Sequence, residues 1–130
     1  MQQKRVLAIH DISCVGKCSL TVALPIISAA GLECSGMPTA VLSTHTGGYA
    51  GFNYRDLTGD LVPITEHWKS LDIRFDGIYT GFLGSFEQID IVSNIIDEVG
   101  KDAMVFVDPV MADNGELYKV FPEAFPRGMR

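Results

Sequence analysis

The chain has 130 residues, 47% of them hydrophobic and 20% charged, and carries a formal net charge of −6. That is enough for one domain with a real core, too little for two, and unlike the composition of a disordered segment. The acidic balance excludes a nucleic-acid partner, because phosphate binding needs a basic face, and no run is long and apolar enough to place the chain in a membrane.

Met1-Gln-Gln-Lys-Arg leads directly into the first apolar run, so no targeting segment is expected ahead of it. Arg5–His10 is short and apolar, suited to a strand buried on both faces. From Gly16 to Ala30, Leu20, Ala23, Leu24, Ile27 and Ala30 recur at helical spacing, and Gly31 is placed to stop that helix in a left-handed conformation. Pro25 inside it predicts either a kink or a later start. The three cysteines, Cys14, Cys18 and Cys34, include no CxxC pair; they suit reduced thiols and a cytoplasmic location. A redox or metal role for Cys14 and Cys18 is disfavoured by a spacing that fits no common zinc ligand set.

Thr39–Ser43 reads as a second strand, running into the polar, Gly-rich stretch from Thr44 to Gly51. Pro63–Leu71 reads as a helix with Pro in its first turn. Asp76–Thr80 is a third strand. Ser85, with Gln88 three residues on, predicts a capping box for a helix whose apolar face is Ile89, Val92, Ile95, Ile96 and Val99. Met104–Asp108 is predicted as a fourth, buried strand. Strands alternating with helices imply right-handed βαβ units and an α/β fold with a parallel sheet. Such a sheet needs both faces covered and its edges protected, and four strands leave that unfinished. The tail Phe121–Arg130 reads as the start of another element, so a truncated domain is expected, with an edge prone to aggregate.

Three polar clusters follow predicted strands: His10-Asp11, Ser43-Thr44-His45-Thr46, and Asp108 with Asp113. The carboxyl ends of parallel strands share one edge, where α/β enzymes keep their ligands. Against this, Thr44 and Thr46 suit an ordinary turn, Asp113-Asn114-Gly115 is a plain turn signal, and a single histidine such as His45 is more often structural. Gly16-Lys17-Cys18-Ser19 is no phosphate loop. That motif needs Gly five residues earlier, where Asp11 stands, and a hydroxyl directly after Lys, where Cys18 stands. Gly16 instead suits a close approach of the backbone to a ligand or of a helix to the sheet.

Four segments in order carry a resemblance: Ile9-His-Asp-Ile-Ser-Cys-Val-Gly16, Val41-Leu-Ser-Thr-His-Thr-Gly-Gly-Tyr49, Tyr79-Thr-Gly-Phe82 and Val107-Asp-Pro-Val-Met111. The chain resembles pyridoxal and pyridoxamine kinases of the ribokinase-like (PfkB-type) superfamily. The resemblance implies a three-layer α/β/α fold with a mostly parallel sheet, incomplete here, with residues 1–130 as the N-terminal part of a single kinase domain. It implies transfer of the ATP γ-phosphate, with Mg²⁺ and with K⁺ or Na⁺ as further candidate ions, to the 5′-hydroxymethyl group of pyridoxamine, pyridoxal or pyridoxine. On that resemblance Asp11, Ser43, His45, Thr46 and Phe82 bind the substrate, and Asp108 and Asp113 lie near ATP and Mg²⁺. A homodimer is also raised.

Two departures from the family pattern stand out. Position 11 is Asp where many relatives have Ser, which suits a cationic substrate, and Phe82 lacks the hydroxyl of the Tyr that relatives often carry. The Gly-x-Gly-Asp segment that supplies the family's general base and anion hole is absent from these 130 residues, so no catalytic residue is assigned within the chain and inactivity alone is expected. Two other readings stay open. One is a hydroxymethylpyrimidine kinase of thiamin biosynthesis, whose usual Gly-rich first loop Asp11–Gly16 does not match. The other is a non-catalytic binding or assembly module.

Overall fold

The apolar run at Arg5 forms the expected strand and then continues beyond it. In a computed structural model describing residues 2–130, β1 is Arg5–Val15, α1 Leu20–Ala29, β2 Glu33–Thr44, β3 Tyr54–Asp56, α2 Thr58–Ser70, β4 Gly77–Thr80, α3 Phe86–Val99 and β5 Met104–Val107. A small hairpin, β6 (Ala112–Asp113) and β7 (Glu116–Leu117), and a short helix α4 (Phe125–Gly128) follow. The main sheet has the order β3-β2-β1-β4-β5. β2, β1, β4 and β5 run parallel, while β3 pairs antiparallel with β2 at the edge. The sheet is therefore mixed and mostly parallel, with helices on both faces. No helix among the described residues is long and apolar enough to cross a membrane.

Strand alternation divides the core in two. Leu7, Ile9, Met37 and Ile78 pack with Leu61 of α2 and with Val92, Ile95 and Val99 of α3. On the opposite face Ala8, with Ile12, Cys34 and Tyr79, meets only Leu20, Ala23, Leu24 and Ile27 of α1. The second core is much smaller, and one helix cannot cover that face. Tyr79 marks the margin of that core, and Phe106 next to it, with ring centroids 5.5 Å apart, is 63% exposed.

Several expectations need correcting. α1 begins at Leu20, because Gly16 (φ +97°) and Ser19 (φ +53°) take left-handed backbone and break the helical run. Pro25 stays inside α1 and leaves the Thr21 carbonyl without its i+4 donor. Gly31 stops the helix as predicted: its N–H donates to Ser28 O (3.0 Å) and that of Leu32 to Ile27 O (3.4 Å), the two bonds of a Schellman motif. α2 starts five residues early, so Pro63 lies inside it rather than in its first turn. β3 was not predicted; its three residues give too short an alternation to register as a strand. β5 is not buried: Met104 and Phe106 on one face (81% and 63%) and Val105 and Val107 on the other (40% and 47%) are all exposed, because the described residues leave both faces of this edge strand largely uncovered. The Asp113-Asn114-Gly115 turn signal closes the β6–β7 hairpin, with Asn114 and Gly115 both at positive φ.

At the carboxyl end of the sheet, one buried amide joins four elements. Ser85 caps α3 by accepting from Gln88 N (3.1 Å), but the reciprocal arm of the capping box is missing. The Gln88 carbonyl instead accepts from Gly84 N (2.7 Å). Its Nε2 reaches Thr39 O (3.0 Å), Thr58 Oγ1 (3.0 Å) and Asp56 Oδ1 (3.3 Å), two hydrogens shared among three acceptors. Gln88 is 1% exposed, so losing the side chain strands buried polar groups. Gln88→Ala should lower unfolding free energy by about 2–4 kcal/mol in urea titration. A loss under about 1 kcal/mol would mean that water replaces the amide.

Candidate functional site

β1 and β2 run past the point where β4 ends. β4 contacts β1 only from Val6 to Ile9, whereas β2 follows β1 to Val15. The register slips between His10 and Ile12: two β2 residues, Thr39 and Ala40, stand opposite Asp11. Pro38 lies immediately before the slip, and its missing N–H suits an interrupted ladder.

This slip sits where the candidate residues are. His10 and Ile12 lie on the α1 face, so Asp11 between them follows Leu7 and Ile9 onto the other pleat. The adjacent polar pair His10-Asp11 is thereby split across the sheet. Asp11 is 7% exposed, and among the described residues no hydrogen bond or ion pair reaches it. Its charge is felt at Tyr54 of β3, whose hydroxyl pKa is raised by burial first and then by the Asp56 and Asp11 carboxylates.

On the α1 face a cleft of about 440 Å³ opens between α1 and the ends of β1, β4 and β5, within the size range of small-molecule sites. His10, Lys17, Tyr79, Phe82 and Asp108 line it, over an apolar wall from α1 that includes Val22, Ala23 and Ile26. Asp108 follows β5, its N–H donating to Thr80 O (3.1 Å). His10 is 4% exposed, packs edge-on to Tyr79 at 4.4 Å, and its Nε2 has no partner. Gly81 makes room for it, since a Cβ there would overlap the imidazole. Burial lowers the His10 pKa below 6.5, opposed by the negative charges of Asp11 and Asp108.

A second hollow, about 340 Å³, lies at the amino ends of the strands between Lys4, Arg5, Glu33 and Asp76. Those charges already pair with one another, Lys4 with Asp76 at 2.7 Å and Arg5 with Glu33 at 2.8 Å. The polar clusters predicted from the sequence lie away from this hollow, toward the carboxyl edge of the sheet.

The remaining predicted residues are dispersed along that edge. Ser43 is exposed and its Oγ accepts from Asn53 N (2.8 Å), which ties β2 to the segment leading into β3. His45 is half-buried; its Nδ1 accepts from Gly47 N (3.1 Å) and its ring meets Tyr49 edge-on at 5.1 Å. Gly16 packs against this imidazole, with no helix atom among its nearest neighbours. Thr46 is exposed on the same loop. Phe82, half-buried, rests against Phe121 at 5.4 Å, and Phe121 stacks on Phe125 at 3.8 Å. The tail thus braces the β4–α3 connection. Asp113 is exposed on the β6–β7 hairpin and does not line the cleft with Asp108. The described residues contain no group of three or more His, Cys, Asp or Glu able to hold a metal. Tyr54 and Gln88 were not singled out as site residues, since Gln88 read only as a cap and Tyr54 lies in the unpredicted strand, while His10 was noted in the cluster His10-Asp11 without a role.

No family model matches the chain. A candidate pyridoxal kinase of Saccharomyces cerevisiae is 33% identical over 86 residues, which is 62% of this chain and 27% of that protein. Among solved structures, a candidate phosphomethylpyrimidine kinase from Bacteroides thetaiotaomicron, crystallised with pyridoxal, is 46% identical. It superposes with a TM-score of 0.91 over 98% of this chain and 45% of its own. Pyridoxal kinase from Lactobacillus plantarum is 30% identical, with a TM-score of 0.87 over 98% of this chain and 46% of its own. The chain spans 27–38% of the curated relatives it matches and under half of these solved chains. Pyridoxal kinase relatives and structural neighbours thus cover the chain, which carries part of their fold.

Two outcomes follow from this geometry. With the folded His10 pKa below 6.5, the unfolded chain binds the proton first as pH falls. Stability from the neutral buried ring is complete above that value and declines as pH drops from it toward the lower folded pKa. NMR titration of His10 alongside unfolding curves checks this; a ring titrating at its ordinary value would refute it. Separately, Gly16→Ala should cost about 1–3 kcal/mol, from backbone strain plus collision with His45. The cost should shrink, without vanishing, in a His45→Ala background. An unchanged cost would show that the imidazole moves away freely.

Proposed function

We propose that this chain is the substrate-binding part of an ATP-dependent kinase acting on the 5′-hydroxymethyl group of a vitamin B6 form. The observation that carries the reading is the relative solved with pyridoxal, which matches 98% of this chain at 46% identity. The carboxyl edge is chemically suited to the role. A flat heteroaromatic ring lying across it would meet Asp11 on one pleat and the Phe82 side of the cleft on the other. Phe82, held by Phe121, offers an aromatic platform. The loop carrying Ser43, His45 and Thr46 would close over the ring, with Gly16 and His45 packed together to hold its base. Work in the cytoplasm fits this reading.

Asp108 faces the nucleotide side of the reading. A single carboxylate suits Mg²⁺ held mainly by nucleotide phosphates and water, and such an ion would draw off charge during transfer. Asp108 would orient that ion, and buried, neutral His10 beside it adds no competing positive charge. Asp113 remains a weaker candidate for the same region. The general base and anion hole would come from sequence outside residues 1–130, since no Gly-x-Gly-Asp segment occurs within them. The relative's name favours a second reading, a kinase of phosphomethylpyrimidine or its hydroxymethyl precursor. The pyridoxal found in that same relative weighs towards B6.

A phosphorylation assay with ATP and Mg²⁺ tests both. It uses this chain alone and a chimera joining it to the portion of the Bacteroides relative that it does not cover. The expected result is no turnover by the chain and turnover of B6 forms by the chimera. Turnover by the chain alone would overturn the assignment of the base elsewhere. Turnover of hydroxymethylpyrimidine only would move the protein to the second reading, and a folded but inactive chimera would remove the kinase reading.

A further inference from the structure

We propose that Asp11 selects among the B6 forms, its carboxylate taking the protonated aminomethyl group of pyridoxamine in preference to the neutral substituents of pyridoxine and pyridoxal. The inference rests on the B6 reading and goes beyond it by naming the preferred form and the group that reads it. Asp11 is 93% buried by its 7% exposure, yet no donor or cation among the described residues pairs with it. Neither of its oxygens is sealed off, for they are not among the buried atoms lacking a partner. The carboxylate therefore keeps some solvent contact, at a position on β1 beyond the last residue paired with β4.

The groups around it deepen the imbalance. Asp56 and Tyr54 flank the same side, and Asp56 is itself engaged with Gln88 and Thr58. Arg55 lies between Tyr54 and Asp56 on a strand, so it alternates to the opposite pleat. Lys17 lines the cleft on the α1 side. His10, the sequence neighbour, is held neutral by burial and turned to that same side. A carboxylate so placed has acceptor capacity that no donor among the described residues fills. A ligand ammonium supplies the missing charge and up to three donors, whereas a hydroxyl supplies one donor and a carbonyl none.

Calorimetric titration of this chain with pyridoxamine and with pyridoxine isolates the effect, because the two differ only in amine against hydroxyl at the 4′ carbon. Pyridoxal is left out, since its aldehyde condenses with lysine amines. The expected result is pyridoxamine binding about tenfold tighter or more, with Asp11→Asn bringing the affinity ratio to within about threefold of one. Asp11→Ser serves as a second variant should the first fail to fold by circular dichroism. A ratio near one in the unaltered chain, or a ratio that survives in the folded variant, overturns the role of Asp11 while the B6 reading stands. Binding of neither ligand, together with a chimera inactive on every B6 form, overturns both.

Discussion

The carboxyl edge of the sheet depends on the buried side chain of Gln88. It sits on the first turn of α3, yet its amide holds the carbonyl of Thr39 at the β1–β2 register slip, the hydroxyl of Thr58 where α2 begins, and the Asp56 carboxylate on β3. Its own carbonyl fixes Gly84 in the connection from β4. A buried polar network is stabilising only when every member is satisfied, and then it also fixes a single arrangement. Thr39 adds a bond from its hydroxyl to Phe82 O (3.3 Å), so Phe82 is tied to the same point. An apolar residue at position 88 would pack, but it would leave these backbone groups unpaired.

From that point the electrostatics of the edge follow. β1 continues as a strand past His10, so alternation places Asp11 on the α2–α3 pleat and His10 on the α1 pleat, beside the slip at Thr39. The two side chains are neighbours in sequence and sit in different environments. His10 is buried against Tyr79 with its pKa lowered, while Asp11 forms no ion pair among the described residues. One residue fewer in β2 would restore an even ladder, and the distribution of charge across the edge would change with it.

The α1 side of the sheet stays open. One helix covers β1 and β2, while Tyr79, Phe106 and the apolar row Met104–Val107 remain accessible. β5 also offers an unpaired strand edge without a proline or a charge to blunt it, the kind of surface that pairs with another strand. Solved relatives more than twice as long as this chain share its fold, and sequence beyond the matched part has room on that face. The aromatic stack of Phe121 on Phe125 closes the opposite side and steadies Phe82 and Phe86.

Much of this was legible in the sequence, because local chemistry decides it. Alternating apolar runs and helical spacing set the parallel βαβ order, Gly31 its Schellman stop, Ser85 its cap, and Asn114-Gly115 its hairpin turn. The motif segments ending at Gly16, Tyr49, Phe82 and Met111 carried the family resemblance that the relatives bear out. What the sequence could not show are the features set by residues distant along the chain. Whether Gln88 caps a helix or joins four elements depends on what lies beside it. Whether Met104–Val107 is buried depends on a covering layer. Whether His10 and Asp11 reach one face or two depends on whether the strand continues past His10, which its pairing with β2 as far as Val15 decides. Spacing along one strand fixes which side chains alternate; only tertiary pairing fixes which face each reaches and what charge it meets there.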